Sequence, residues 1–221
     1  MDADSFKQAL AAGDRHFPGL MLRDADLVRV DLRGADLRGA DLRQARLGFC
    51  DARGINLEGA DLSEAVLWGA NLEGANLRNC RLREADLGGA LLIHACLNGA
   101  QGLRVGFRGA RLDGAEIRGA CLPEADFQPG SDGITSLRQV AIADTVLSHA
   151  QFQGADLSGA QLHRSRLCRA QLVPSFPADQ PTTLRGTRFV ACDLSFADFS
   201  GADREGASFE NCDDYSSLGL A

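Results

Sequence analysis

The sequence predicts an all-β solenoid, a chain that turns a corner every five residues and hydrogen-bonds each coil to the next. Three observations lead there. A large apolar residue returns at every fifth position, as in Leu27, Leu32, Leu37, Leu42 and Leu47. The residue two places earlier is small and usually Ala, as at Ala25, Ala35, Ala40 and Ala45. The residue two places later is often Gly, as at Gly34, Gly39, Gly59 and Gly69. On a helix, residues five apart point about 140° from one another, and on a strand they fall on alternate faces, so neither gathers the series into one interior. A chain with a corner in each pentapeptide does. The central residue i and the small residue at i-2 then point inward, and i-1, i+1 and i+2 point out. Repetition this regular is the signature of a solenoid, whose coils pair at about 4.8 Å.

Taken in order, the chain begins with a short helix. Residues 4–12, DSFKQALAA, offer Asp4 or Ser5 as N-cap, Phe6, Ala9 and Leu10 as one apolar face, and Gly13 as the stop. Residues 1–14 are therefore read as a cap over the first coil, whose open end leaves backbone groups unpaired. The β-helix follows over 15–172. Its register pauses in QPGSDGITS, 128–136, an irregular corner built on Pro129, Gly130, Asp132 and Gly133, and resumes at Leu137. A second pause, VPSFPADQPTT over 173–183, holds three prolines and reads as a loop that leaves the coil and returns. The final coils occupy 184–212, where Phe189, Phe199 and Phe209 displace Leu, and residues 213–221 form a tail.

The motif Ala-(Asp/Asn)-Leu-X-X, seen in Ala35-Asp36-Leu37-Arg38-Gly39, Ala60-Asp61-Leu62-Ser63-Glu64 and Ala75-Asn76-Leu77-Arg78-Asn79, resembles the pentapeptide-repeat family over residues 15 to 212. The resemblance implies a right-handed quadrilateral β-helix with four pentapeptides to a coil, about nine coils in all, forming a rod on the order of 43 Å long. Residues twenty apart then stack. The resemblance also implies a rod without established catalytic activity, as in many members. Others in the family interact with gyrase and relate to fluoroquinolone resistance; their acidic dimeric rods resemble duplex DNA.

On this stacking, Val28, Gly48, Trp68, Gly88 and Arg108 form one outward column, with Phe49 and Val66 beside Trp68. Phe49, Val66 and Trp68 make an apolar spot that Leu91 and Ile93 extend around a corner, and exposed clusters of this kind mark contacts. These five residues are the candidate protein-binding surface. A second column, Arg38, Glu58, Arg78, Asn98, Arg118 and Arg138, has the spacing of a phosphate-following stripe. Acids share that face and no aromatics interleave, so it reads as a mixed-charge solvated surface. The Asp and Asn at i-1 belong to every repeat and read as caps for local amides rather than as catalytic pairs. A candidate acidic surface gathers at the carboxyl end: Asp193, Asp198, Asp203, Glu205, Glu210, Asp213 and Asp214.

The net charge of -7 argues against direct nucleic-acid binding. His16, His94, His149 and His163 are scattered, with no Ser or Cys and acid placed to make a nucleophile. The seven cysteines lack metal-ligand spacing, and Cys192 and Cys212, twenty apart, read as buried neighbours rather than zinc ligands. No catalytic, cofactor or metal site is expected. Nor is a membrane partner, because no apolar run has the length of a span. The thiols and the absence of a visible secretory signal make a cytoplasmic location the default expectation. The predicted function is a non-enzymatic scaffold for an unidentified protein partner, with a homodimer through the carboxyl end as a further contact. The alternative is a DNA mimic that binds DNA gyrase, disfavoured by the dense arginines of the first 172 residues and by the short tail.

Overall fold

The computed structural model describes residues 1–175 and 180–213. Within them the chain winds as a four-sided parallel β-solenoid. Each pentapeptide gives one bridge residue at i-1 and then a two-residue turn, and the bridge residue pairs in parallel with its counterpart one coil on. On the first face the rungs are His16, Asp36, Asn56, Asn76, Cys96, Glu116, Ala141, Gln161, Arg188 and Ser208. The upper part of this face widens into five short parallel strands in chain order: β1 (Glu116–Arg118), β2 (Ala141–Ala143), β3 (Gln161–His163), β4 (Arg188–Val190) and β5 (Ser208–Glu210). The ladders of the second, third and fourth faces start at Met21, Asp26 and Asp31.

The interior is a set of stacked columns. Leu37, Leu77, Leu97, Ile117, Leu162 and Phe189 are fully buried, as are Ala35, Ala95 and Ala115 beside them. Among the described residues two central positions lack a large side chain, and the next i-2 position compensates. Ala52 is followed by Ile55 and Gly102 by Val105, both buried. At Gly102 the backbone sits so far inward that a β carbon would lie 2.8 Å from the Leu82 carbonyl carbon and 2.6 Å from Val105 Cγ2. Volume missing at i thus returns three residues later, as a close-packed interior requires.

The corners explain the outward residues. Backbone at i+2 is left-handed, with φ of 62° at Gly34, 65° at Gly39 and 56° at Asn79, a region that disfavours side chains with a β carbon. The Asp or Asn at i-1 secures the turn by accepting the amide of i+1: Arg33 N donates to Asp31 at 3.1 Å, Ser63 N to Asp61 at 3.0 Å and Gly88 N to Asp86 at 2.9 Å. Where i+1 is Arg, its guanidinium grips the same carboxylate, as in Arg33 with Asp31 at 2.6 Å, Arg38 with Asp36 at 2.7 Å and Arg53 with Asp51 at 2.7 Å. Hydrogen bonding from Arg38 holds Asp36 down at about 2, and Arg33, Arg43 and Arg53 lower Asp31, Asp41 and Asp51 in the same way. Because the folded values lie below the ordinary value of about 4, this contribution is present above pH 4 and lost as pH falls toward 2. The thermal midpoint followed by circular dichroism is expected to fall between pH 4 and pH 2; a midpoint unchanged over that window contradicts the pairing.

The amino-terminal helix, α1 (Ala3–Ala11), begins one residue earlier than the sequence suggests. Its N-cap is Asp2, whose Oδ1 accepts the Ser5 amide at 2.8 Å, not Asp4 or Ser5. A carboxylate already placed three residues before a free amide satisfies it without help from Asp4. Phe6 and Leu10 are buried on the first coil, and the Phe6 ring meets Phe17 edge-on at 4.8 Å.

Both pauses of the register are excursions at one corner. Rungs step by twenty residues up to Gly106 with Asp126, then Arg111 pairs with Ser136 and, at the second break, Asp156 with Thr183. The extra residues move Arg138 off the column that carries Arg38 and Arg118: Arg118 pairs with Ala143, and Arg138 belongs to the preceding edge, between the fourth and first faces. Each excursion is closed by a buried threonine at i-2. Gly109 N donates to Thr135 Oγ1 at 2.7 Å, and that hydroxyl lies 2.7 Å from the Gln128 carbonyl. Gly154 N donates likewise to Thr182 Oγ1 at 2.9 Å, which lies 2.7 Å from the Val173 carbonyl. Ser175 and Gln180 pair across the mouth of the second excursion, while the remainder of that loop and the tail beyond Asp213 lie outside the described residues.

Candidate functional site

The edge between the third and fourth faces carries aromatic rings and both excursions. At many corners elsewhere the left-handed glycine is open, with nothing near a β carbon at Gly34, Gly39, Gly54, Gly59, Gly74 and Gly119. On this edge successive glycines are roofed. The Phe49 ring covers Gly69, where a β carbon would lie 2.8 Å from it, and the Trp68 indole covers Gly88 at 2.9 Å. Higher up, Gly130 of the first excursion packs on Gly109, Pro129 and Ser175 pack on Gly154, and Pro174 packs on Gly201. Aromatic rings and both loops therefore share one glycine track.

The aromatic part is built by shingling. Phe49, at i+2 with φ of 56°, projects toward the next coil and meets Trp68 edge-on at 4.8 Å and 83°. The Arg29 guanidinium lies 5.7 Å from the Phe49 centroid, close enough for a cation–π contact. Gly69 and Gly88 are required here, since any β carbon would displace a ring. Phe49 remains 48% exposed, Val66 42% and Trp68 37%, with Val28 exposed one rung below Gly48. Val66 is the third-face rung between Arg46 and Asp86. Leu91 and Ile93 are half-buried around the corner, Leu91 as the fourth-face rung between Asn71 and Arg111, and Ile93 in a groove at the following edge.

The remaining edges are laced by charge. Between the second and third faces Arg83 pairs with Glu64 and with Glu84 at 3.3 Å, and Arg104 with Glu84 at 2.6 Å. Between the first and second, Arg164 pairs with Asp144 at 2.7 Å. The proposed acidic surface is distributed around the rod rather than gathered. Asp193 and Asp213 are rungs of the second face, Asp198 of the third and Asp203 of the fourth, and Glu210 ends β5 on the first. Arg185 bridges Asp203 at 2.6 Å and Glu205 at 3.4 Å, and Arg188 holds Glu210 at 2.9 Å. Asp214 lies outside the described residues.

Sequence reasoning did not single out Phe196, which is 72% exposed at the edge between the second and third faces, under the Arg169 guanidinium at 5.8 Å. Its place at the outward i+2 position was the available signal. Burial pushes the thiols of Cys50 and Cys80 up to about 12 and Cys192 to about 11, which makes them packing groups rather than nucleophiles. Among the described residues no group of three or more His, Cys, Asp or Glu is placed to hold a metal ion, and no helix is long and apolar enough to cross a membrane.

A model of pentapeptide repeats matches residues 22–59, 40–79, 70–101, 107–128, 135–173 and 182–213, in 8 copies. The chain belongs to the pentapeptide repeat family. Among solved pentapeptide repeat proteins it is similar to HetL, involved in heterocyst differentiation regulation in the cyanobacterium Nostoc sp. strain PCC 7120. The identity is 34%, over 96% of this chain and 94% of HetL, with a TM-score of 0.80. It is also similar to alr5209 of Nostoc PCC 7120, at 34% identity over 46% of this chain and 97% of that one, with a TM-score of 0.38. A third likeness is QnrB1, a plasmid-mediated fluoroquinolone resistance protein, at 18% identity over 92% and 96% of the two chains, TM-score 0.43. No match is found among curated proteins.

Proposed function

We propose that this pentapeptide repeat rod is a non-enzymatic scaffold that binds a protein partner along the edge carrying Phe49 and Trp68. The observation that carries the reading is the rigid pair of Phe49 and Trp68, held edge-on at 4.8 Å and still exposed, with Val66 and Val28 beside it. Aromatic side chains held in one orientation lose little entropy on binding and are typical anchors of interfaces. The interior supports the same reading, because its columns of Leu, Phe and Ala are fully buried against one another. The likeness to HetL favours a regulatory partner, and the free thiols favour a reducing, cytoplasmic setting.

Gyrase-directed DNA mimicry is the weaker reading. A duplex carries one charge per about 1.7 Å, whereas the acids at the carboxyl end here are spread over four faces and several are neutralised by Arg185 and Arg188. The carboxyl end is better suited to a contact between copies, with Phe196 exposed and Phe209 half-buried near it.

The decisive variant is Trp68→Ala, an outward substitution expected to leave the thermal midpoint nearly unchanged while removing the anchor. Co-purification from the source cell is expected to recover a partner with the wild type and to lose it with the variant. Retention of every partner by Trp68→Ala would sink the assignment.

A further inference from the structure

We propose that the groove at the edge between the fourth and first faces is a carboxylate-binding site, filled by an aspartate or glutamate side chain of a partner polypeptide. It lies on a different edge from the aromatic pair and stands independently of it.

The groove has a volume of about 550 Å³, and its walls include Ile93, His94, Arg111, Asp113, Arg138 and Gln139. Its shape follows from the column of i+2 residues, His94, Gly114, Gln139 and Gly159, which stack in that order. Two of these have side chains and two have none. The His94 imidazole leans over Gly114, where a β carbon would lie 2.6 Å from Nδ1. A slot therefore opens between His94 and Gln139, and Ile93 supplies an apolar surface for the methylene groups of an incoming side chain.

Both arginines reach the slot already oriented. Arg111 donates through Nε to Asp113 at 3.3 Å, and Arg138 through Nε to Asp156 at 2.5 Å. Asp113 also accepts from Ser136 Oγ, and Asp156 from the Ser158 amide at 2.9 Å, so the two acids are engaged on several sides. Among the described residues, the terminal Nη groups of Arg111 and Arg138 take part in no hydrogen bond. A guanidinium end is a planar donor fork that matches a carboxylate. Charge makes the selection narrower. Arg111 and Arg138 are already matched in charge by Asp113 and Asp156, so a carboxylate adds one uncompensated negative charge to the groove where a dianionic phosphate adds two.

The test is a ¹H–¹⁵N titration of the full chain with N-acetylglutamate N-methylamide as probe. Saturable shifts are expected at the amides of Ile93, His94, Gly114 and Gln139, with tighter binding than acetate and none by the capped glutamine analogue. Arg138→Ala is expected to weaken binding at least tenfold. Because that change removes the cation that faces the buried Asp156, Arg111→Gln serves as the second variant; its partner Asp113 is held also by Ser136, and the same weakening is expected in a folded chain. Equal shifts with the glutamine analogue, or binding untouched by Arg111→Gln, overturn the site. Inorganic phosphate binding as tightly as the capped glutamate would make it a general anion site, and acetate binding as tightly would make the ligand a free small carboxylate; either result overturns the assignment to a partner side chain.

Discussion

Phe127→Ala is expected to lower the unfolding free energy by about 3–5 kcal/mol. Phe127 is fully buried on the third face and lies between two parallel rings, 5.0 Å from Phe107 and 4.7 Å from Phe152, each at 3°. The solenoid imposes this geometry, since side chains stacked rung on rung are held near the strand spacing. Truncation removes the middle ring of the column and leaves two faces without contact atoms. The neighbouring coils are tied to the same backbone ladder and cannot close the gap, which places the effect at the upper part of the range for buried truncations. Phe127 also precedes the first excursion, so the cavity opens where the chain leaves its regular path. Urea unfolding followed by circular dichroism and by the fluorescence of Trp68, the single tryptophan, reads the change. A loss below about 1 kcal/mol contradicts the stacked column, since even one buried methylene is worth about that much.

Thr182→Val is the second large effect, expected to cost about 1–3 kcal/mol through buried groups left without a partner. The shape of the side chain is preserved and only the hydroxyl is removed. That hydroxyl accepts the Gly154 amide and lies within 3.0 Å of both the Val173 and Phe152 carbonyls, closing the second excursion against the coil below. Gly154 N retains a longer approach to the Val173 carbonyl at 3.3 Å, which keeps the cost within this range. Thr182→Ser, which keeps the hydroxyl, is expected to recover most of the loss. Equal destabilisation by Val and Ser would show that the methyl group rather than the clasp matters.

The fifth-position core was legible because a side chain that must point inward at every corner leaves its mark in every repeat. The corners were legible for the same reason, in the Gly at i+2 and the Asp or Asn at i-1. Phe49 and Trp68 stood out as large apolar residues in outward positions. That the first excursion shares their edge was also readable in principle, since Leu67 and Phe127 are separated by a whole number of coils. The inserted residues hide the consequence beyond the first break, which is why spacing alone puts Arg138 in the wrong column. The roofing of Gly69 and Gly88 and the lean of His94 over Gly114 depend on side-chain torsions that no spacing encodes. The helix start at Ala3 turned on which of three neighbouring polar residues reaches a single amide.

The central claim is that one edge of a four-sided rod faces the partner. It is tested most directly by placing a photo-reactive benzoylphenylalanine at the same corner position on each edge of one coil, at Arg23, Val28, Arg33 and Arg38, which leaves Phe49 and Trp68 in place, and irradiating the source cell. A partner adduct formed from position 28 and absent from 23 and 38 is the predicted result; adducts of equal yield from all four positions, or from every position except 28, would contradict it.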